Sequence, residues 1–85
     1  MNWDDLRYFL SVARAGSISA AGRELGVKHT TVARRIQALE TDMDARLFDR
    51  TPTGYVMTQT AENLLDKVSA IEDKVKLIDR QASHS

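Results

Sequence analysis

Apolar residues fall at helical spacing in four stretches of this 85-residue chain, with a break of different rhythm before the last. In the first stretch Trp3, Leu6, Phe9, Leu10 and Ala13 form an inward stripe. Asn2 is placed to cap it, with Asp5 three residues on as a capping-box partner. Gly16 marks its end, and either Ser17 or Ser19 can cap a short second helix with Ile18, Ala21 and Leu25 inward. After the turn Gly26-Val27-Lys28, a third helix sets Val32, Ile36, Leu39 and Met43 on one narrow buried stripe. Thr30, Arg34 and Gln37 point roughly opposite, with Thr31 and Arg35 on the flank.

Beyond Asp44 the period shortens. Leu47-Phe48-Asp49-Arg50 and Tyr55-Val56-Met57 read as extended segments around Thr51-Pro52-Thr53-Gly54. Pro at the second and Gly at the fourth position fit a type I turn, which predicts a hairpin. Thr58 then caps a last helix running to about Arg80, about 33 Å long at 1.5 Å per residue, with a frayed tail after it. Along that helix Ala61, Leu64, Val68, Ile71, Val75, Ile78 and Ala82 alternate three and four apart, an unbroken heptad seam. The small body cannot cover the far end of such a helix, so a second copy is the simplest cover. Leu64, Val68, Ile71, Val75 and Ile78 are therefore expected at a dimer interface. The expected fold is mainly α: a winged helix-turn-helix, with three helices and a two-stranded wing over residues 1–58. A long C-terminal pairing helix over 59–82 and a frayed tail over 83–85 complete it.

Composition changes this picture little until the charges are placed. An apolar share of 42% suits one small globular domain, and five aromatic residues make the core mostly aliphatic. Without cysteine there is no disulfide framework and no zinc site built on thiolates. The acidic start is unlike a targeting segment, the apolar runs are too short to cross a bilayer, and a cytoplasmic, nucleoid-associated location is expected. The net charge is zero, which alone argues against a nucleic-acid partner. The charges are segregated, however: Leu25 to Leu39 holds Lys28, Arg34, Arg35 and His29 and no acid.

Two short helices around a tight glycine turn, the second with a donor-rich outer face, make a helix-turn-helix. Its recognition helix, expected over residues 28–42, can enter a major groove, with the wing over 47–57. Arg34 is the best single candidate for a base contact, because its fork matches the O6 and N7 acceptors of guanine. Lys28, His29, Thr30 and Thr31 occupy the first turn, where the helix dipole also favours a phosphate. The wing tip, with Arg50 at its base, can hold a backbone phosphate or enter the minor groove. Arg35, Ser17 and Ser19 are further phosphate candidates, although capping explains the serines equally well. Nothing supports catalysis or a cofactor: His29 and His84 are far apart in sequence, and no glycine-rich phosphate loop is present. Acidic neighbours such as Asp4/Asp5 and Glu72/Asp73 read as solvated charge.

Several segments, taken in order, resemble the N-terminal domain of LysR-type transcriptional regulators over essentially the whole chain. They are Leu6-Arg7-Tyr8-Phe9, Gly16-Ser17-Ile18-Ser19-Ala20-Ala21, Leu25-Gly26-Val27, Val32 through Glu40, Leu47-Phe48-Asp49-Arg50, Gly54-Tyr55 and Met57-Thr58. The resemblance implies sequence-specific binding of double-stranded DNA at a near-palindromic operator by a homodimer, with a tetramer open to the full-length protein. It also implies that the last helix is a linker helix pairing antiparallel with its twin, and that an effector-sensing domain lies outside this chain. Departures from the family pattern are informative. Lys28-His29-Thr30 replaces the usual Ser-Gln-Pro, and Ala33 replaces a serine, at positions that usually read bases. Thr53 stands where the wing commonly carries a second basic residue, and Thr60-Ala61 stands for the family's Ala-Gly.

Two readings compete with this one. A protein-interaction module could keep the winged fold without DNA binding, and another winged-helix regulator, such as a molybdate-responsive one, could share the architecture. Charge placement along the last helix also pulls against the family: Lys67 and Lys74 at g, with Glu72 and Asp79 at e, would pair across a parallel dimer. Exposed pairs contribute little, so antiparallel pairing is expected.

Overall fold

The computed structural model describes residues 1–83, as four helices and one antiparallel hairpin. α1 runs Trp3–Ala15, α2 Ile18–Leu25, α3 His29–Met43 and α4 Gln59–Ser83; β1 is Phe48–Thr51 and β2 Gly54–Met57. The predicted capping box closes on α1: the Asp5 amide donates to Asn2 Oδ1 at 3.0 Å and the Asn2 amide to Asp5 Oδ2 at 3.3 Å. Ser17, not Ser19, caps α2, accepting the Ala20 amide at 3.1 Å. Thr58 caps α4 by accepting the Ala61 amide at 3.2 Å, while its own hydroxyl donates to the Arg46 carbonyl at 2.7 Å. α4 runs through Ser83; residues 84 and 85 of the tail expected from sequence lie outside the described residues.

The core gathers Phe9, Val12, Val32, Leu39 and Leu47, all fully buried, with Val68 of α4 at 1% exposure. Phe48 joins Phe9 and Tyr55 through ring contacts at 5.7 and 5.9 Å, which fastens the hairpin to α1. In the hairpin Thr51 faces Gly54 and Phe48 faces Met57, so Pro52 and Thr53 form the two-residue tip. Gly54 sits at φ 139°, and a β-carbon there would lie 2.9 Å from the Gly16 carbonyl. The wing thus rests on the turn that follows α1, with the Tyr55 amide donating to that same carbonyl at 3.4 Å. Gly22 makes the equivalent approach inside the helix-turn-helix: a β-carbon there would stand 2.9 Å from the Val27 carbonyl. Only a residue without a side chain lets α2 lie this close to the chain entering α3.

Three polar ties are structural, and two of them use carboxylates, Asp5 and Glu72, that the sequence reads as solvated charge. Asp5 is buried, and its Oδ1 accepts from Arg35 Nη1 at 3.0 Å; the Arg35 guanidinium also lies 5.2 Å from the Tyr8 ring centroid. This links α1 to α3. Glu40 Oε2 accepts the amides of Leu47 at 2.7 Å and Phe48 at 3.4 Å, satisfying backbone donors where the chain leaves α3 for the hairpin. Arg14 meets Glu72 fork to fork at 2.8 and 3.1 Å, joining α1 to α4 across 58 residues of sequence.

The seam of α4 is consequently split. Ala61 and Val68 belong to the chain's own core, with Leu64 and Leu65 packed against it, whereas Ile71 is 43% and Ile78 63% exposed. Val68, expected at a dimer interface, is corrected: α4 lies on α1 and β2 there, and nothing of that side chain is left for a partner. Leu77, outside the seam, is 52% exposed beside it.

Two outcomes follow from the ties. The hydrogen bond from Arg14, helped by its charge and by Lys76, holds the Glu72 carboxyl below its ordinary value against the opposing effect of burial. A carboxyl lowered in the folded state stabilises fully above the ordinary glutamate value, near 4.3. That contribution is lost as pH falls through the folded value. Thermal melts of the parent and Glu72→Gln should therefore differ at pH 7 and converge in acid. Asp5→Ala removes the Arg35 tie and half the capping box, and should cost about 1–2 kcal/mol. Calorimetry would show this as a melting point lower by about 4–8 °C per kcal/mol, with Asp5→Asn losing less because an acceptor remains.

Candidate nucleic-acid interface

With Val32, Ile36 and Leu39 buried, the opposite face of α3 is turned outward. Thr30, Arg34 and Gln37 are exposed on it, and Thr31 and Ala33 are half-buried at its margins. Lys28 occupies the N-cap with extended backbone and no side-chain hydrogen bond to the helix. Its carbonyl accepts from Thr31 and Val32 at 3.0 and 3.3 Å, leaving the amides of His29 and Thr30 at the open end of the helix. The stretch expected to read bases, 28–42, is therefore α3 with its cap, ending at Met43.

Concave surfaces flank this ridge on both sides. One, at the turn between α2 and α3, is lined by Ser19, Arg23, Lys28 and His29. The other lies between α3 and the wing and is lined by Ala33, Gln37 and Glu40 of α3 and by Arg46, Asp49, Arg50 and Tyr55. Arg50 is exposed at the end of the wing, its guanidinium 5.4 Å from the Tyr55 ring centroid. Thr53 is exposed at the tip, but Thr51 gives its hydroxyl hydrogen to the Gly54 carbonyl, so Thr53 must donate to Thr51 Oγ1 at 3.1 Å. The Thr53 hydroxyl is thereby committed within the turn. Ser17 is half-buried as a cap; Ser19 is exposed on α2.

Ion pairing sorts the cations of residues 1–58. Arg7, Arg14, Arg35 and Arg46 each meet a carboxylate, those of Asp4, Glu72, Asp5 and Asp49. Among the described residues, Arg23, Lys28, Arg34 and Arg50 have no such partner, and these four flank or form the α3 ridge. Arg35, a phosphate candidate from sequence, is held by Asp5 on the α1 side, so the ridge has one cation fewer than its sequence suggests. Arg23 escaped the sequence reading. It lies in the last turn of α2, just outside the acid-free stretch, and only the folded turn brings it beside Lys28.

Comparison with known proteins agrees with this architecture. Residues 3–62 match the family described as bacterial regulatory helix-turn-helix protein, lysR family. The HTH-type transcriptional regulator ClcR of Pseudomonas putida is 41% identical over 66 residues, which are 78% of this chain and 22% of that protein. The Mau operon transcriptional activator of Paracoccus denitrificans is 35% identical over 81 residues, 95% of this chain and 29% of that one. The chain thus spans less than a third of the length of these relatives. Among solved structures, the CbnR DNA-binding domain in complex with DNA superposes with a TM-score of 0.89 at 28% identity, covering 99% of this chain and 97% of that one. Intact CbnR, a LysR family transcriptional regulator, gives 0.83 at 31% identity, over 99% of this chain and 28% of that one. With the family pattern matched from α1 into α4 and the winged architecture shared, the chain belongs to the LysR family of bacterial helix-turn-helix regulators.

Proposed function

We propose that this chain is the DNA-reading head of a dimeric transcription regulator, with residues 1–58 as the reader and 59–82 as the pairing helix. The reading is carried by one observation: the cations of the body that lack a carboxylate partner are those gathered on and beside the outward face of α3. A domain of the same fold, that of CbnR, has been solved on DNA, which supports the same use here. In this reading α3 enters the major groove. Arg34, Thr30 and Ala33 face base edges, together with Lys28, His29 and Thr31 from the first turn. Arg50 and the wing take a backbone phosphate, with Arg23 and Ser19 holding the strand across the other concavity. The role is binding and not catalysis.

A single head offers few phosphate contacts, and non-specific affinity from such contacts is only about 10⁻⁴ to 10⁻⁶ M. A second copy, joined through Ile71, Val75 and Ile78, supplies the missing half-site and makes the operator near-palindromic. The Arg14 fork on Glu72 also bears on how the helices pair. It occupies the carboxylate that Lys67 would need across a parallel dimer, which favours the antiparallel arrangement. The longer relatives fit a protein with an effector-sensing part in addition to this reader, and a DNA-reading role places it in the cytoplasm with the nucleoid.

Fluorescence titration of duplexes selected from random sequence tests the reading. Arg34→Ala should weaken binding to the selected duplex by about 1–3 kcal/mol, or roughly 5- to 150-fold, and relax the preference at one position per half-site, with helicity retained. Parent protein without salt-dependent duplex binding would contradict the DNA reading and favour a protein-docking role for the same fold.

A further inference from the structure

α4 is fastened to the body in two successive ways. The inner one is apolar: Ala61 is buried, Leu64 and Leu65 pack against the core, and the stretch ends at Val68, 1% exposed. The outer one, a turn further on, is Glu72, whose side chain is 20% exposed and receives both terminal nitrogens of Arg14. Lys76 Nζ lies 3.8 Å from Oε1 of the same carboxylate. Residues 76–81 beyond are exposed. Among the described residues the core packing of α4 ends at Val68, and apolar packing is non-directional, so Val68 is the pivot for the rest of the helix. A bidentate guanidinium–carboxylate pair is planar and directional, so adding it removes the freedom to swing and roll about that pivot. The base of the fork is itself braced, because Ser11 on α1 donates to Glu24 on α2 at 3.2 Å on the same side of the body.

We propose that the Arg14–Glu72 fork sets the angle at which α4 leaves the body, and so selects the spacing between the two half-sites that the dimer accepts. This rests on the DNA-reading function above and adds to it a pair of positioning residues, Arg14 and Glu72, that act through each other. The lever is long enough. From the pivot at Val68 to Ile78, the last large apolar residue of the seam, the helix runs about 15 Å at 1.5 Å per residue, so a tilt of about 10° moves one head against the seam by about 2.6 Å. That is most of one base-pair step of about 3.4 Å. An angle held loosely would blur the register by one base pair; the fork holds it.

The test uses the 85-residue protein and duplexes carrying one or two copies of a half-site obtained by selection, with the separation changed in single base-pair steps. The parent should favour one separation. Glu72→Gln should bind the single half-site as the parent does, with unchanged helicity, while its preference among separations shrinks by about five-fold, the worth of one well-made pair. Exchanging the charges, Arg14→Glu with Glu72→Arg, should restore the preference. The proposal is overturned if Glu72→Gln keeps the parent's spacing profile, or if the exchange variant binds the half-site normally with a profile as flat as that of Glu72→Gln. Absence of duplex binding by the parent would instead bring down the DNA reading and this inference with it.

Discussion

Burial of Val32, Ile36 and Leu39 decides where everything else on α3 points. Each of these side chains is worth about 1.5–3 kcal/mol when removed from water, whereas an exposed ion pair is worth about 0–1. No arrangement of the polar face could therefore turn the helix against its apolar stripe. The outward face is assigned by what lies behind it, and its chemistry is then free to serve recognition. The same logic explains the turn. Gly22 lets α2 approach the Val27 carbonyl, and without that approach the stripe would not seat on α1 and α2 together.

A net charge of zero looks unsuited to a polyanion, but the fold resolves the difficulty by pairing charges selectively. Carboxylates from α1, β1 and α4 neutralise Arg7, Arg35, Arg46 and Arg14; the Arg35 and Arg14 pairs tie two elements, and the Arg46–Asp49 pair lies at the concavity between α3 and the wing. What remains unpaired on the body is concentrated around α3. Selective neutralisation leaves a local positive field without a globally basic protein, and it limits indiscriminate attraction to any phosphate backbone.

Local signals in the sequence were legible because they depend on neighbours in the chain. The Asn2–Asp5 capping box, the hairpin around Pro52 and Gly54 and the stripe on α3 are all of this kind. The heptad pattern of α4 was also visible, yet periodicity identifies an apolar face without saying what covers it. Val68 has the same signature as Ile78 and is covered by its own chain. Ties such as Glu72 with Arg14 or Arg35 with Asp5 join residues 58 and 30 positions apart, and a charged residue looks the same in sequence whether it is solvated or engaged. Arg23 stayed hidden for a related reason: its place beside Lys28 is created by the turn.

The account stands on the outer ridge of α3 lying against base edges in the wide groove. Guanine N7 faces only that groove, so methylating it before binding, then comparing bound and free duplexes, reads the contact without altering the protein. The account predicts interference at guanines in two patches of the selected duplex, one per half-site and on one face of the helix. Interference confined to adenine N3 in the narrow groove, or none at either position, would contradict it.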